Sequence, residues 1–126
     1  MYNLHESQGR VQINMIAVTI GDDLCVIISG GDKPHIGCVT LSAPRPSLSD
    51  PDKQSATTSV LNLLGHKDDE PAKFVSHELS SHLGKNVVVT CGIHLDNITV
   101  EEIKNVMKII TKLTNLLIAK VMENQI

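Results

Sequence analysis

Residues 11–20, VQINMIAVTI, begin with strict alternation: Val11, Ile13, Met15 and Ala17 fall on one side, Gln12 and Asn14 on the other, before both sides turn apolar. A period of two is that of a β-strand with one covered face. The Gly-Asp-Asp turn at 21–23 leads into a second apolar run, LCVIISGG (24–31), so the pair reads as a hairpin. GGDKPH (30–35) is a further turn, and HIGCVTLS (35–42) reads as the third strand. Three strands joined by short turns predict an antiparallel meander rather than β-α-β units.

The pattern lapses over 43–56, APRPSLSDPDKQSA, which reads as a long Pro/Ser-rich loop, either a surface excursion or a lid. TTSVLNLLG (57–65) reads as a short helix, with Thr or Ser as N-cap and Gly65 as its stop. In 72–84 the apolar positions Ala72, Val75, Leu79 and Leu83 recur with helical spacing, Pro71 suits the first turn, and Gly84 closes the element. KNVVVTCGIHL (85–95) is a fourth strand, apolar on both faces and therefore expected at an inner position covered above and below. The segment 99–124 is the clearest helix: Thr99 and Glu102 have capping-box spacing, and Ile103, Val106, Met107, Ile110, Leu113, Leu117 and Val121 form one stripe. Ile109, Leu116, Ile118 and Met122 widen that stripe, which calls for a second covering surface, either a partner subunit or another helix of the same chain. The expected fold is α+β in the order βββααβα, an antiparallel sheet of a three-strand meander plus a fourth strand packed with two or three helices.

Length and composition narrow the class. A chain of 126 residues fits a single domain spanning 1–126, with residues 1–10 expected as a flexible tail. No apolar run approaches the roughly 20 residues of a membrane span, and the N-terminus lacks a basic start and apolar core, so a cytoplasmic, non-membrane protein is expected. The net charge of −3, scattered basic residues, and one Tyr, one Phe and no Trp argue against nucleic acid, which needs phosphate neutralisation and stacking platforms. Cys25, Cys38 and Cys91 sit in apolar strand-like runs without metal-ligand spacing and read as buried thiols.

The candidate chemistry lies in LLGHKDDEP (63–71) and CGIHLDN (91–97), each with a His-x-Asp pair at an element end: His66 with Asp68, and His94 with Asp96. On an extended strand His94 and Asp96 share a face. Such groups can position an imidazole for proton transfer, hold a divalent metal through His66, Asp68 and His94, or, with Lys67 at a helix N-terminus, bind an anion. The three carboxylates Asp68, Asp69 and Glu70 oppose the anion unless they face outward, and they also suit plain capping of the next helix. His35, after Pro34 and near Gly37, stands where a ligand can approach the backbone; His77 and His82 read as surface residues and His5 as part of the tail. None of the strong catalytic, phosphate-loop or dinucleotide motifs occurs.

PHIGCVTLS, LGHKDDEPAK and VVVTCGIHLDNIT together resemble the small bacterial and archaeal family named for the D subunit of gallate-type hydroxyaryl acid decarboxylases, the prenylated-flavin chaperone-like proteins. The resemblance runs from the first strand through the last helix. It implies a fold like that of proteasome assembly chaperones and a non-catalytic accessory protein, homodimeric through the C-terminal helix or the sheet. It further implies a role in assisting a UbiD-type decarboxylase that uses prenylated FMN, by handling the cofactor or stabilising the enzyme. Carried over by position, the ligand or client contacts are His66, Lys67, Asp68, His94, Asp96 and Asn97, with His35 beside them. A scarcity of aromatic side chains weighs against direct stacking of an isoalloxazine. The alternative from the residues alone is a small metal-dependent or acid–base enzyme built on His66, Asp68, His94 and Asp96.

Overall fold

A computed structural model describes residues 1–63 and 68–125. The chain runs β1 (Tyr2–Gln8), β2 (Val11–Ile20), β3 (Asp23–Gly31), β4 (Cys38–Pro46), β5 (Gln54–Asn62), α1 (Asp69–Leu83), β6 (Val87–His94) and α2 (Val100–Glu123). The strands form one sheet in the order β1-β2-β3-β6-β4-β5. Strand β6 returns from α1 and inserts between β3 and β4, parallel to the first and antiparallel to the second.

The α+β class holds, with several corrections. The sheet is mixed, has six strands, and the order is βββββαβα. The expected tail contains β1, paired with β2 from Tyr2 opposite Ala17 to Gln8 opposite Val11; Tyr2 and Leu4 alternate onto the core with the period of a strand. The helix expected over 57–65 gives way to β5, where the β-branched Thr57, Thr58 and Val60 pack on a pleated surface.

The Pro/Ser-rich loop shortens to 47–53, because β4 continues through Pro46 and β5 begins at Gln54. Prolines inside β4 have a geometric explanation. Leu63 N donates to Gly37 O and Ser47 N to Lys53 O, so the odd-numbered residues of β4 and β5 bond to each other across a regular register. Pro44 and Pro46 therefore turn their missing donors away from β5, at positions beyond Ser42, where pairing with β6 has ended.

Both helices lie on one face of the sheet. Val11, Ile13, Met15 and Ala17 of β2, Leu24, Val26 and Ile28 of β3, and Val87, Val89 and Cys91 of β6 join Ala72, Val75 and Leu79 of α1 and Ile110, Leu113 and Leu117 of α2 in one buried cluster. Where α1 crosses β4, Thr40 and Ser42 replace large apolar residues, and both hydroxyls lie 2.9 Å from Ser76 Oγ. The expected caps are present: Thr99 Oγ1 accepts from Glu102 N and Glu102 Oε1 from Thr99 N, while Gly84 ends α1 at φ 66°.

The second covering surface of α2 is supplied in part by the chain itself. Ile109 is buried and Ile118 packs against the core, whereas Leu116 and Met122 stay exposed. No helix of the described residues is long and apolar enough to cross a membrane.

Among the described residues the opposite face of the sheet carries no helix, so β6 is covered on one side rather than two. Val18, Ile20, Ile27 and Leu41 project there, with Ile27 41% and Leu41 51% exposed.

Candidate functional site

Between β3 and β4 the chain crosses the end of β6 as the segment 32–37, DKPHIG. Two glycines permit the crossing. A Cβ on Gly92 would collide with the His35 carbonyl, and one on Gly37 would collide with Asp68 Oδ2. The segment is tied down by Asp32 N, which donates to His94 O at 2.7 Å, and by Gly37 N, which donates to Cys91 O at 2.9 Å.

Asp68 is buried, and its carboxylate does not cap α1. Its Oδ1 accepts from Ile93 N at 3.0 Å, just past the last β4–β6 pair at Cys38 and Cys91. The side chain thus satisfies a strand amide that β4 has left without a partner. Its Oδ2 lies 3.2 Å from His35 Nε2, and His35 Nδ1 donates to Lys33 O at 2.9 Å. The helix-start carboxylates therefore divide: Asp69 and Glu70 stay in the first turn and pair with Lys73, while Asp68 clamps the crossing segment to β6.

His94 and Asp96 meet as the sequence leads one to expect, with His94 Nε2 3.0 Å from Asp96 Oδ1, but the pair is exposed. This hydrogen bond, and then Lys33 with its Nζ 4.0 Å away, hold the Asp96 carboxyl below the usual carboxylate range. Asn97 adopts φ 53° and presents its carbonyl to Arg10. That arginine is the site residue that sequence reading missed. From the β1–β2 turn its Nε donates to Glu102 Oε2 at 2.6 Å, its Nη2 donates to Asp96 O at 2.7 Å, and its Nη1 lies 3.6 Å from Asp32 Oδ2. No local signal marks it, because its partner Glu102 is distant in sequence. The Arg10 guanidinium, followed by the Thr99 amide, pulls the Glu102 carboxyl down to about 2.

The structure thus brings His35 to Asp68, and joins both to the His94–Asp96 turn through segment 32–37. His66 and Lys67 lie outside the described residues. Among the described residues no group of three or more His, Cys, Asp and Glu side chains could hold a metal. Asp68 is committed to Ile93 and His35, and His94 to Asp96. Cys38 and Cys91 are buried and Cys25 half-buried, and burial pushes the Cys38 and Cys91 thiols up, so neither is a ready nucleophile.

Residues 7–122 match the prenylated flavin chaperone LpdD-like domain. The chain belongs to that family. It is accordingly a non-catalytic, chaperone-type protein. It is similar to Protein LpdD of Lactiplantibacillus plantarum, with 28% identity over 99 residues that cover 76% of this chain and 67% of the relative. Its fold is similar to that in the crystal structure of a chaperone complex for yeast 20S proteasome assembly, with a TM-score of 0.57, 17% identity, and coverage of 92% of this chain and 94% of that one.

In the described part of the site the basic side chains Arg10 and Lys33 face carboxylates. Phe74 lines a groove with Thr58 and Val60, and the Tyr2 hydroxyl accepts from Asn124.

Asp68→Ala would leave the Ile93 amide unsatisfied, and should lower unfolding stability by about 1–3 kcal/mol. Asp68→Asn, which keeps an acceptor for that amide, should cost less; urea denaturation of the two variants measures the difference. For Glu102 the folded pKa is depressed, so its contribution is present above its ordinary value of 4.5 and disappears as pH falls toward about 2. The gap in urea midpoint between wild type and Glu102→Gln should accordingly be constant near neutrality and close across that acid window.

Proposed function

We propose that this protein is a cytoplasmic accessory subunit that assists a prenylated-FMN-dependent, UbiD-type hydroxyaryl acid decarboxylase by stabilising the enzyme. Membership of a prenylated flavin chaperone family carries the reading. Stabilisation rather than cofactor storage is the reading supported by the pairing of Arg10 and Lys33 with carboxylates, which leaves neither cation to a phosphate. Within this reading His35, Asp68, His94, Asp96 and Asn97 shape a turn-rich end of the sheet that contacts the client, with His66 and Lys67 in the segment leading to it. They carry no chemistry of their own.

The second part of the proposal is a homodimer through the helix-free face of the sheet. Its middle is uncharged, built from Val18, Cys25, Ile27, Val39, Leu41, Val88 and Thr90, with Asp23 and Arg45 at the margin. An uncharged surface can oppose its own copy across a two-fold axis without like-charge repulsion. Six strands about 4.8 Å apart, each roughly 28 Å long, present a footprint on the order of 700 Å². That approaches the roughly 800 Å² per partner of a stable interface, and two such faces pack about 10 Å apart as in a sandwich.

Two measurements test these statements. Co-expression with a UbiD-type decarboxylase should raise the yield of active, soluble enzyme, while native mass spectrometry should show no prenylated FMN retained by the accessory chain alone. Unchanged decarboxylase activity with and without this chain would end the accessory reading. In sedimentation analysis the wild-type chain should run as a dimer and Ile27→Glu as a folded monomer; a monomeric wild type would remove the face-to-face contact.

A further inference from the structure

The sheet has two edges, and they are unlike. Strand β1 carries His5 and Glu6, and Glu6 is held by Lys112 of α2. Strand β5, QSATTSVLN, has no charged residue and no proline, and pairs with β4 over nine residues without a bulge. Charges, prolines and bulges are the devices that keep an edge from recruiting another strand, and β5 has none of them. The register of its odd-numbered residues with β4 turns the amides and carbonyls of Ala56, Thr58 and Val60 outward. Among the described residues β4 is the only strand beside β5.

Along this edge runs an open groove of about 390 Å³, lined by Thr58 and Val60 of β5 and by Glu70, Lys73, Phe74, His77 and Glu78 of α1. Thr58 and Val60, with the buried Ala56, are on the helix-bearing face of β5. A seventh strand laid against β5 would place its own helix-facing side chains in this groove, one residue in two. The Phe74 ring offers apolar contact there; Lys73 is held by Asp69 at 3.2 Å and Glu70 at 3.6 Å, so that with Glu78 the carboxylates outnumber the one ammonium and the lining stays net acidic.

We infer that the β5 edge and the α1 groove receive an extended segment of a client protein, added as a strand, with an apolar and a basic side chain in alternate positions. Backbone pairing supplies the affinity and the groove selects the side chains. The inference rests on the accessory-protein reading only for the nature of the partner. It leaves the helix-free face available for a second copy.

The test uses the full chain and a synthetic peptide in which threonine alternates with valine and a central lysine, so that a failure here leaves the co-expression result standing. Peptide binding should slow hydrogen exchange at the Thr58 and Val60 amides of the wild-type protein. Thr58→Pro removes an outward-facing donor that an edge strand can lose without unfolding, and should weaken binding by about tenfold or more. Glu70→Lys should weaken the lysine peptide and not its glutamate counterpart. Absence of protection at Thr58 and Val60, or binding indifferent to both variants, would overturn the inference. Self-association of the wild type that Thr58→Pro abolishes would also overturn it, by assigning the edge to a second copy.

Discussion

Two antiparallel units, β1-β2-β3 and β4-β5, are joined in the sheet by a single strand, β6. Every backbone bond between the two halves of the sheet therefore passes through β6, which must lie parallel to β3 and antiparallel to β4 at once. Its core-facing residues Val87, Val89 and Cys91 are wholly buried. The candidate site sits at the end of this strand, where pairing with β4 stops and the strand's remaining polar groups need partners from elsewhere. Asp68 and segment 32–37 supply them. What looks in sequence like chemistry is, among the described residues, largely the completion of a strand.

Legibility in the sequence followed the range over which each interaction acts. The alternation at Val11 to Ala17, the Thr99–Glu102 box and the Gly84 stop were readable because their partners lie within a few residues. TTSVLN was misread because a short apolar run of β-branched residues fits a strand as well as a helical turn, and the strand pairing across to β4 decides it. Residues 2–8 were passed over because alternation among Tyr2, Leu4 and Glu6 is weak until β2 is placed beside it. His94 with Asp96 was visible as a local pair. The His35–Asp68 contact and the Arg10 clasp were not, since both join segments far apart in the chain.

A sheet with helices on one side and uncovered apolar residues on the other is under-protected as an isolated body. Exposing Ile27 and Leu41 carries a solvation cost that association relieves. A chaperone family is a natural place for such a surface. The polar network at the end of β6 then acts as a brace, holding the 32–37 crossing against the strand so that the apolar face keeps a defined outline.

Pro44 and Pro46 occupy the stretch of β4 that outruns β6, and there they leave a notch in the outline of the sheet. Lacking donors on that side, the notch cannot zip up with a passing chain, whereas the far margin at β5 keeps its full set. The two sides of the β4–β5 ribbon consequently differ: its inner side beyond β6 offers no amide donors at Pro44 and Pro46, while its outer border remains permissive, and an incoming segment meets that difference before any side chain is read.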